Sequence, residues 1–370
     1  MKVLFVTTSY PAKEDDWKGR FILDMLTALS RINGLSLYYW GPTGPLPDSV
    51  INVTRGNEAA WLDNLLASGG IANALRVHPV KSYLTAARLL YYLRCLYRRE
   101  REIDVVHVNW LQNAIPLYGS KKPALITVLG TDLALLNKPL IRSLMTRMLK
   151  KIRHVITPNA EWMLDPLQST LSPGTQINPI PFGVSEHWFQ VKREIKPDLS
   201  KKWLVILRIT PEKIGQLFEW GRVISETGDQ LHLFGPMQEA VKIPSWIHYH
   251  GPTYPDELRT DWYTQAAGLI TLSQHDEGRP QVILEAMASG LPVITSDIPA
   301  HKNVIVQGKT GWIVKDKDDF LSAYKALSDN EINLRMGNEA QSWMRNEIGT
   351  WDDCAKKYHL LYQTLQPDFD

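Results

Sequence analysis

The residues best able to do chemistry fall in one stretch, Asp276-Glu277-Gly278-Arg279-Pro280-Gln281-Val282-Ile283-Leu284-Glu285-Ala286-Met287-Ala288-Ser289-Gly290. An apolar run ending near Leu272 leads into a polar loop, and Pro280 stands where the first position of a helix tolerates a missing N–H. Gly290 then stops the helix. The N–H groups of Gly278, Arg279, Gln281 and Val282 form an anion site at the positive end of the helix dipole. Glu277 precedes that site, and Glu285 follows it by about 1.5 turns. Carboxylates accept hydrogen bonds from hydroxyls and repel phosphate, so their expected partners are polyols beside the anion. Upstream, Val205–Lys213 places Arg208 and Lys213 at the end of a strand, where two cations suit a diphosphate leaving group. A sugar nucleotide, with hydroxyls on both sides of a diphosphate, meets all of these demands.

Positioning these groups requires strands that end together. Short apolar runs alternate with stretches of helical period: Val3–Thr7, Leu35–Trp40, Val105–Val108, Ala124–Leu129, Val155–Thr157 and Ile177–Ile180 as strands, with a helix over Phe21–Ile32. The rhythm breaks at the polar stretch from Ser185, with Lys192, Arg193, Lys196 and Pro197, and restarts with strand Trp203–Leu207, helix Glu212–Glu226 and strand Gln230–Phe234. Strands at Leu269–Leu272 and Val293–Thr295 follow, and Trp351–Leu365 reads as a last helix. This is the pattern of parallel sheets covered on both faces, an α/β architecture of two doubly wound domains with a ligand cleft between them. The expected boundaries are 1–184 for a first, acceptor-binding domain, 185–202 for a linker, and 203–350 for a nucleotide-sugar domain. A final segment, 351–370, is expected to pack back on the first domain. Residues 51–80 fit neither period, apart from a short helix near Ala59–Leu66, and read as a loop-rich insertion.

Both chemical segments resemble the retaining glycosyltransferases of sequence family 4, which have the GT-B fold of two Rossmann-like domains. Glu277 and Glu285 reproduce that family's pair of glutamates separated by seven residues, and Glu285–Ile294 is close to its consensus. Lesser matches are Lys18-Gly19-Arg20-Phe21, Asp104-Val105-Val106-His107, Pro181-Phe182-Gly183-Val184 and Thr310-Gly311-Trp312-Ile313-Val314. The resemblance implies that Arg208 and Lys213 hold the diphosphate, Glu277 the donor-sugar hydroxyls and Glu285 the ribose. Gly19 would let a loop backbone approach the phosphates, or would simply make a turn. Ser273 matches a small residue before the glutamate loop, with a turn role as the alternative. The family's His-Gly-Thr/Ser-Asp is here Leu129-Gly130-Thr131-Asp132, so a side chain without hydrogen-bonding capacity replaces the His. Asp132 keeps its place, either facing the cleft as a catalytic group or capping a helix. His107, His275 and His301 read as structural. No metal and no other cofactor is expected, the nucleotide-sugar being a substrate. The implied activity is retaining sugar transfer from a nucleotide-sugar, UDP-linked by default and GDP-linked as the variant, to a lipid-linked or polysaccharide acceptor, as in lipopolysaccharide or polysaccharide biosynthesis. A GT-B nucleotide-sugar epimerase and a non-catalytic nucleotide-sugar-binding subunit are the competing readings.

Composition narrows the partners. Hydrophobic residues make up 44% of the 370-residue chain and charged residues 22%, which excludes a disordered protein. The net charge of +2 gives no reason to expect a nucleic-acid partner. Cys95 and Cys354 cannot build a disulfide framework, and a cytoplasmic location fits. Residues 1–190 carry 21 basic and 14 acidic side chains, a net +7, against −5 in the remainder. The excess sits in two amphipathic stretches, Tyr83–Arg101 with Arg88, Arg94, Arg98, Arg99 and Arg101, and Pro139–Arg153 with Arg142, Arg147, Lys150, Lys151 and Arg153. Both suit peripheral contact with an anionic membrane surface at the inner face of the cell membrane; a core-facing stripe with a solvated basic face is the alternative.

Overall fold

The computed structural model describes residues 1–70, 79–194, 200–275 and 277–366. The chain divides into two compact units: Met1–Pro181 together with Trp351–Asp370, and Phe182–Thr350. The first unit contains β1 (Lys2–Val6), β2 (Ser36–Trp40), β3 (Ile51–Asn52), β4 (Val105–Asn109), β5 (Ala124–Val128) and β6 (His154–Pro158). The second contains β7 (Lys202–Ile206), β8 (Gln230–Phe234), β9 (Ile247–Gly251), β10 (Ala266–Thr271), β11 (Val293–Ser296) and β12 (Gly311–Val314). All strand pairs are parallel. The sheet orders are β3-β2-β1-β4-β5-β6 and β12-β11-β10-β7-β8-β9. Counted from its own first strand, each sheet has the doubly wound order in which winding reverses between the first and fourth strands. Ligands of such sheets sit at the carboxyl ends at that reversal, here β1/β4 and β7/β10.

The longer helices among the described residues are α1 (Arg20–Ser30), α2 (Gly56–Ala67), α3 (Pro79–Arg99), α4 (Pro139–Leu149), α5 (Gln281–Ala288), α6 (Lys317–Ser328), α7 (Asn330–Trp343) and α8 (Trp351–Leu365). Central strands β4, β5 and β10 are buried along their whole length, as expected where helices cover both faces. In the second unit the two faces carry separate cores. One joins Leu204, Leu269, Ile283, Leu284 and Met287; the other joins Trp203, Val205, Ile270, Ile294 and Phe320. The C-terminal helix α8 belongs to the first unit. Its buried residues, Trp351, Cys354, Ala355, Tyr358, Tyr362 and Leu365, recur at helical spacing and pack on α1, β5 and β6.

Three expected elements come out differently. Ile177–Ile180 makes only a single bridge, Ile156 to Ile177: the N–H groups of Asn178 and Ile180 donate to the carbonyls of Ile156 (2.8 Å) and Pro158 (3.0 Å), but Pro158 has no N–H to return the next bond. Glu212–Glu226 is three short turns, Pro211–Ile214, Leu217–Trp220 and Arg222–Glu226, interrupted at Gly215 and Gly221. Ser185–Glu194, expected as linker, is bound into the second unit. Trp188 is buried against Tyr263, and Arg193 donates to the carbonyls of Gly290 (2.5 Å), Ala266 (2.9 Å) and Ala267 (3.2 Å) and to Asn333 Oδ1 (2.7 Å). Its guanidinium thus satisfies backbone oxygens just past α5 and within β10, a fixed structural role for a residue that looks like a solvated cation. Residues 195–199 of that stretch, 71–78 of the expected insertion, Asp276 and 367–370 lie outside the described residues.

Candidate active site

The carboxyl ends of β7, β10 and β11 carry most of the residues singled out by the sequence. After β7 the chain runs through Arg208, half-buried, to Thr210, whose Oγ1 accepts the backbone N–H of Lys213 at 3.3 Å. That cap, with Pro211 in the first turn, starts the helical turn that displays Lys213. The turn ends at Gly215 with φ +52°, and a Cβ there would lie 2.0 Å from the Leu272 carbonyl oxygen. Gly215 therefore permits the loop after β7 to close on the end of β10, a contact that any side chain would prevent. Two bonds reinforce it: Gln274 N–H donates to the Glu212 carbonyl at 2.9 Å, and His275 Nδ1 lies 3.0 Å from Glu212 Oε2.

The consequence is an ion pair across the reversal of the second sheet. Lys213 Nζ donates to Glu277 Oε1, with the two side chains 13% and 17% exposed. The residue expected at the diphosphate and the residue expected at the sugar are thus partners, so the charge each offers a ligand is tempered by the other. Gly278 and the buried Arg279 lead into α5, whose N-cap is Pro280, one residue earlier than its expected place inside the helix. Gln281 and Val282 occupy the first turn, where N–H groups have no intrahelical acceptor. The Gln281 side-chain Nε2 is also buried without a partner among the described residues. Glu285, half-buried, lies one turn further on; burial raises the Tyr263 phenol well above its usual range, and the Glu285 charge adds to that. Ser273 is 2% exposed; its Oγ accepts the His275 N–H at 3.2 Å, and its carbonyl accepts from Ser296 Oγ. The turn role of Ser273 is therefore the one its contacts support.

Gly19 and Asp132 lie in the first unit, at the carboxyl edge of its sheet. Gly19 has φ +71°, and a Cβ would approach the Tyr10 Cα and N to 2.9 Å, so the fold itself requires a glycine there. Asp132 is 2% exposed, and its two oxygens accept the N–H groups of Leu111 and Leu129, both at 2.9 Å. Burial raises its pKa to about 6 against those bonds. It ties the loops after β4 and β5 together and is a positioning group; its carboxylate is neither exposed for catalysis nor capping its own helix. Leu129, half-buried, stands where the sequence resemblance leads one to expect a His. His107 does not replace it: it is fully buried, 2.5 Å from Tyr362 Oη on α8 and 2.8 Å from Thr127 Oγ1.

The basic stretches divide in the same way. Arg99 clamps Glu58 through Nη1 and Nη2 at 2.5 and 2.9 Å, and Trp40 Nε1 donates to the same carboxylate at 2.8 Å. Arg94 donates to the carbonyls of Pro116, at 2.9 Å, and Tyr118. These two arginines are internal fasteners, unlike the exposed Arg98, Arg142 and Arg147. Among the described residues no helix is long and apolar enough to cross a membrane, and no group of three or more His, Cys, Asp or Glu is placed to hold a metal ion.

Residues 216–330 match the family described as glycosyl transferases group 1. A D-inositol 3-phosphate glycosyltransferase of Corynebacterium jeikeium is 27% identical over 143 residues, which are 38% of this chain and 33% of that protein. The chain thus spans about a third of the length of the curated relatives it matches. Over whole chains, the sucrose-phosphate synthase of Thermosynechococcus elongatus superposes with a TM-score of 0.71 at 15% identity, covering 99% of both. The Anabaena protein HepE, solved with UDP-glucose, superposes with a TM-score of 0.65 at 12% identity, covering 98% of this chain and 100% of that one. The fold is that of GT-B glycosyltransferases, two Rossmann-like α/β units. Ser273, Glu277–Glu285 and His301 fall inside the matched family segment; Arg208 and Lys213 lie just before it.

Proposed function

We propose that the protein is a retaining, metal-independent glycosyltransferase that moves a sugar from a nucleotide-sugar, UDP-linked by preference, to a lipid-linked or polysaccharide acceptor. The observation that carries this reading is the ion pair, at the reversal of the second sheet, between Lys213 from the loop after β7 and Glu277 from the loop that leads out of β10 into α5, with Arg208 on the same loop as Lys213. Cations and first-turn N–H groups suit a diphosphate; acceptor-only carboxylates on either side suit hydroxyls. The bond from the sugar anomeric carbon to the diphosphate oxygen breaks, and the acceptor oxygen bonds to that carbon from the same face. The acceptor proton passes to the leaving phosphate oxygen, whose developing charge Arg208 and Lys213 stabilise. This route needs no protein base, which accommodates Leu129 and the burial of His107 and Asp132.

The test is a thermal-shift panel of UDP, GDP, UDP-glucose and GDP-mannose, since a ligand of the native state raises the melting temperature. Turnover of the stabilising donor with glycan acceptors follows, with NMR assignment of the product anomer and an EDTA control. An inverted anomer, or full loss of activity with EDTA restored by one divalent ion, overturns the retaining or metal-free part. Leu129 favours one second reading, a binding subunit without chemistry; hydrolysis of bound donor at even a slow rate argues against it.

The acceptor side rests on surface chemistry. Tyr83, Leu84 and Tyr91 on α3 and Leu140 and Leu144 on α4 are exposed, and both helices pack against the turn Leu111–Leu117. With Arg98, Arg142 and Arg147 they combine apolar insertion with positive charge. We expect binding to phosphatidylglycerol-containing vesicles and little to phosphatidylcholine alone. The combined change Arg98→Gln, Arg142→Gln and Arg147→Gln is expected to remove about 1 kcal/mol per residue and leave nucleotide affinity unchanged. Equal sedimentation of wild type and triple variant would point to a soluble acceptor.

A further inference from the structure

His301 lies on the short helical turn Pro299–Lys302 that follows β11, and it is completely buried. Its Nδ1 is 3.0 Å from the Ser296 carbonyl oxygen and 3.2 Å from Ser296 Oγ. A carbonyl only accepts, and the Ser296 hydroxyl proton is already donated to the Ser273 carbonyl, so Nδ1 must carry the ring hydrogen. In the neutral ring that leaves Nε2 with a lone pair. Nε2 is buried and has no hydrogen-bond partner among the described residues. Burial lowers the ring's pKa, so it is neutral at physiological pH. Through Ser296 and Ser273 the ring is tied to the loop after β10, four residues before Glu277, and it lies within electrostatic range of Glu277 and Lys213.

An acceptor at this position needs a donor from outside. Glu277 only accepts, and the Lys213 ammonium is turned to Glu277. A diphosphate at neutral pH has no hydrogen to give. A sugar hydroxyl has, and the unpartnered Gln281 Nε2 supplies a donor for such a group at the start of α5. An unsatisfied buried acceptor is costly, and a ligand hydroxyl that satisfies it is correspondingly favoured. We propose that His301 is a specificity residue of the donor site, its Nε2 accepting a hydrogen bond from one hydroxyl of the transferred sugar. This inference rests on the sugar-transfer reading above. It also explains the bond from Ser296 to Ser273: the Ser296 side chain fixes the ring tautomer and joins the loops after β10 and β11.

The test is titration calorimetry of UDP, GDP, UDP-glucose and GDP-mannose with wild type, His301→Ala and His301→Gln. The glutamine variant has an oxygen at a reach similar to that of Nε2 and nearly the same volume, so it reports on the site even if the alanine variant does not fold. His301→Ala is expected to bind the sugar-free nucleotide like wild type and the sugar nucleotide about tenfold more weakly. His301→Gln should recover most of the loss. Deoxy-sugar donors locate the hydroxyl: one of them should bind wild type about tenfold more weakly than the parent sugar nucleotide and lose nothing further in His301→Ala. Equal loss for free nucleotide and sugar nucleotide, or no loss for either, overturns the role of His301. A wild type that binds none of the four ligands overturns the donor reading on which it stands.

Discussion

Lys213→Ala is expected to lower turnover by about 10²–10³-fold, the usual effect of removing one preorganised group that meets charge developing in the transition state. Arg208→Ala should act in the same direction. The ion pair makes the Lys213 experiment more informative than a single substitution. Removing Lys213 leaves the Glu277 carboxylate without its cation in a half-buried place, so some loss of melting temperature accompanies the loss of rate. In the combined variant Lys213→Ala with Glu277→Ala the uncompensated charge is gone. Its melting temperature should return toward wild type while its turnover stays low. Glu277→Ala alone frees the Lys213 ammonium and takes an anion away from the diphosphate position. It should hold free UDP at least as well as wild type, yet use a sugar nucleotide poorly. Glu285→Ala should instead weaken free UDP as well, since each lost charge-assisted hydrogen bond to ribose is worth roughly 1.5–3 kcal/mol. Normal turnover in both Lys213→Ala and Arg208→Ala would remove the cations from the reaction, and equal loss of free UDP in the two glutamate variants would overturn their separate roles.

What the sequence disclosed was set by the range of each signal. Apolar runs bounded by polar or turn residues are local, so Gln230–Phe234 was legible to the residue, as was Trp351–Leu365 from its helical period. The strand Ile247–Gly251 was not legible, because three of its five residues, His248, Tyr249 and His250, face solvent on an edge strand. The dense motif Glu277–Gly290 was legible for the same local reason. Functions that depend on partners far along the chain were not. Arg193 has the appearance of a linker cation until Gly290, Ala266 and Asn333 are brought to it. Gly215 is one glycine among 23 until Leu272 closes on it. Asp132 matches a position of the family the sequence resembles, yet only the meeting of the loops after β4 and β5 shows that both its oxygens are spent on backbone N–H groups. His301 had one available clue, the serine five residues before it, and that acquires meaning only once Ser273 is seen to take the serine's proton.

Acidification is expected to destabilise the protein, chiefly its second unit, although each unit buries a neutral imidazole. Burial lowers His107 to about 3 in the first unit and His232 to about 4 in the second. His232 is further held down by His250 and His248, whose rings stack with it across β8 and β9, and by Lys202. In the unfolded chain a histidine takes up its proton near pH 6.5. Between that value and the lowered folded one the unfolded state binds more protons, so the contribution of each ring is complete above about pH 6.5 and declines as the pH falls. From pH 6.5 to 5 each ring costs roughly 2 kcal/mol at about 1.4 kcal/mol per unit. Asp132 works the other way. Its pKa is raised to about 6 from a usual value near 3.9, so below pH 6 the folded state binds the extra proton and recovers about 1.4 kcal/mol by pH 5. In the first unit His107 and Asp132 nearly cancel, leaving a loss of about 0.6 kcal/mol that Asp24, also raised by burial, reduces further. The larger loss falls on the second unit, where His232 costs roughly 2 kcal/mol, or a fall in melting temperature of about 4–8 °C, and the buried His301 acts in the same direction. Calorimetry at pH 7.5 and 5.0 measures the fall. His107→Gln supplies the control, since glutamine can still bond to Tyr362 and Thr127 but does not titrate in this range. Whatever it costs at pH 7.5, this variant should lose less between the two pH values than wild type does. A wild-type melting temperature that is the same at both, or a His107→Gln variant with an undiminished acid response, would show that these rings are not the groups that set acid stability.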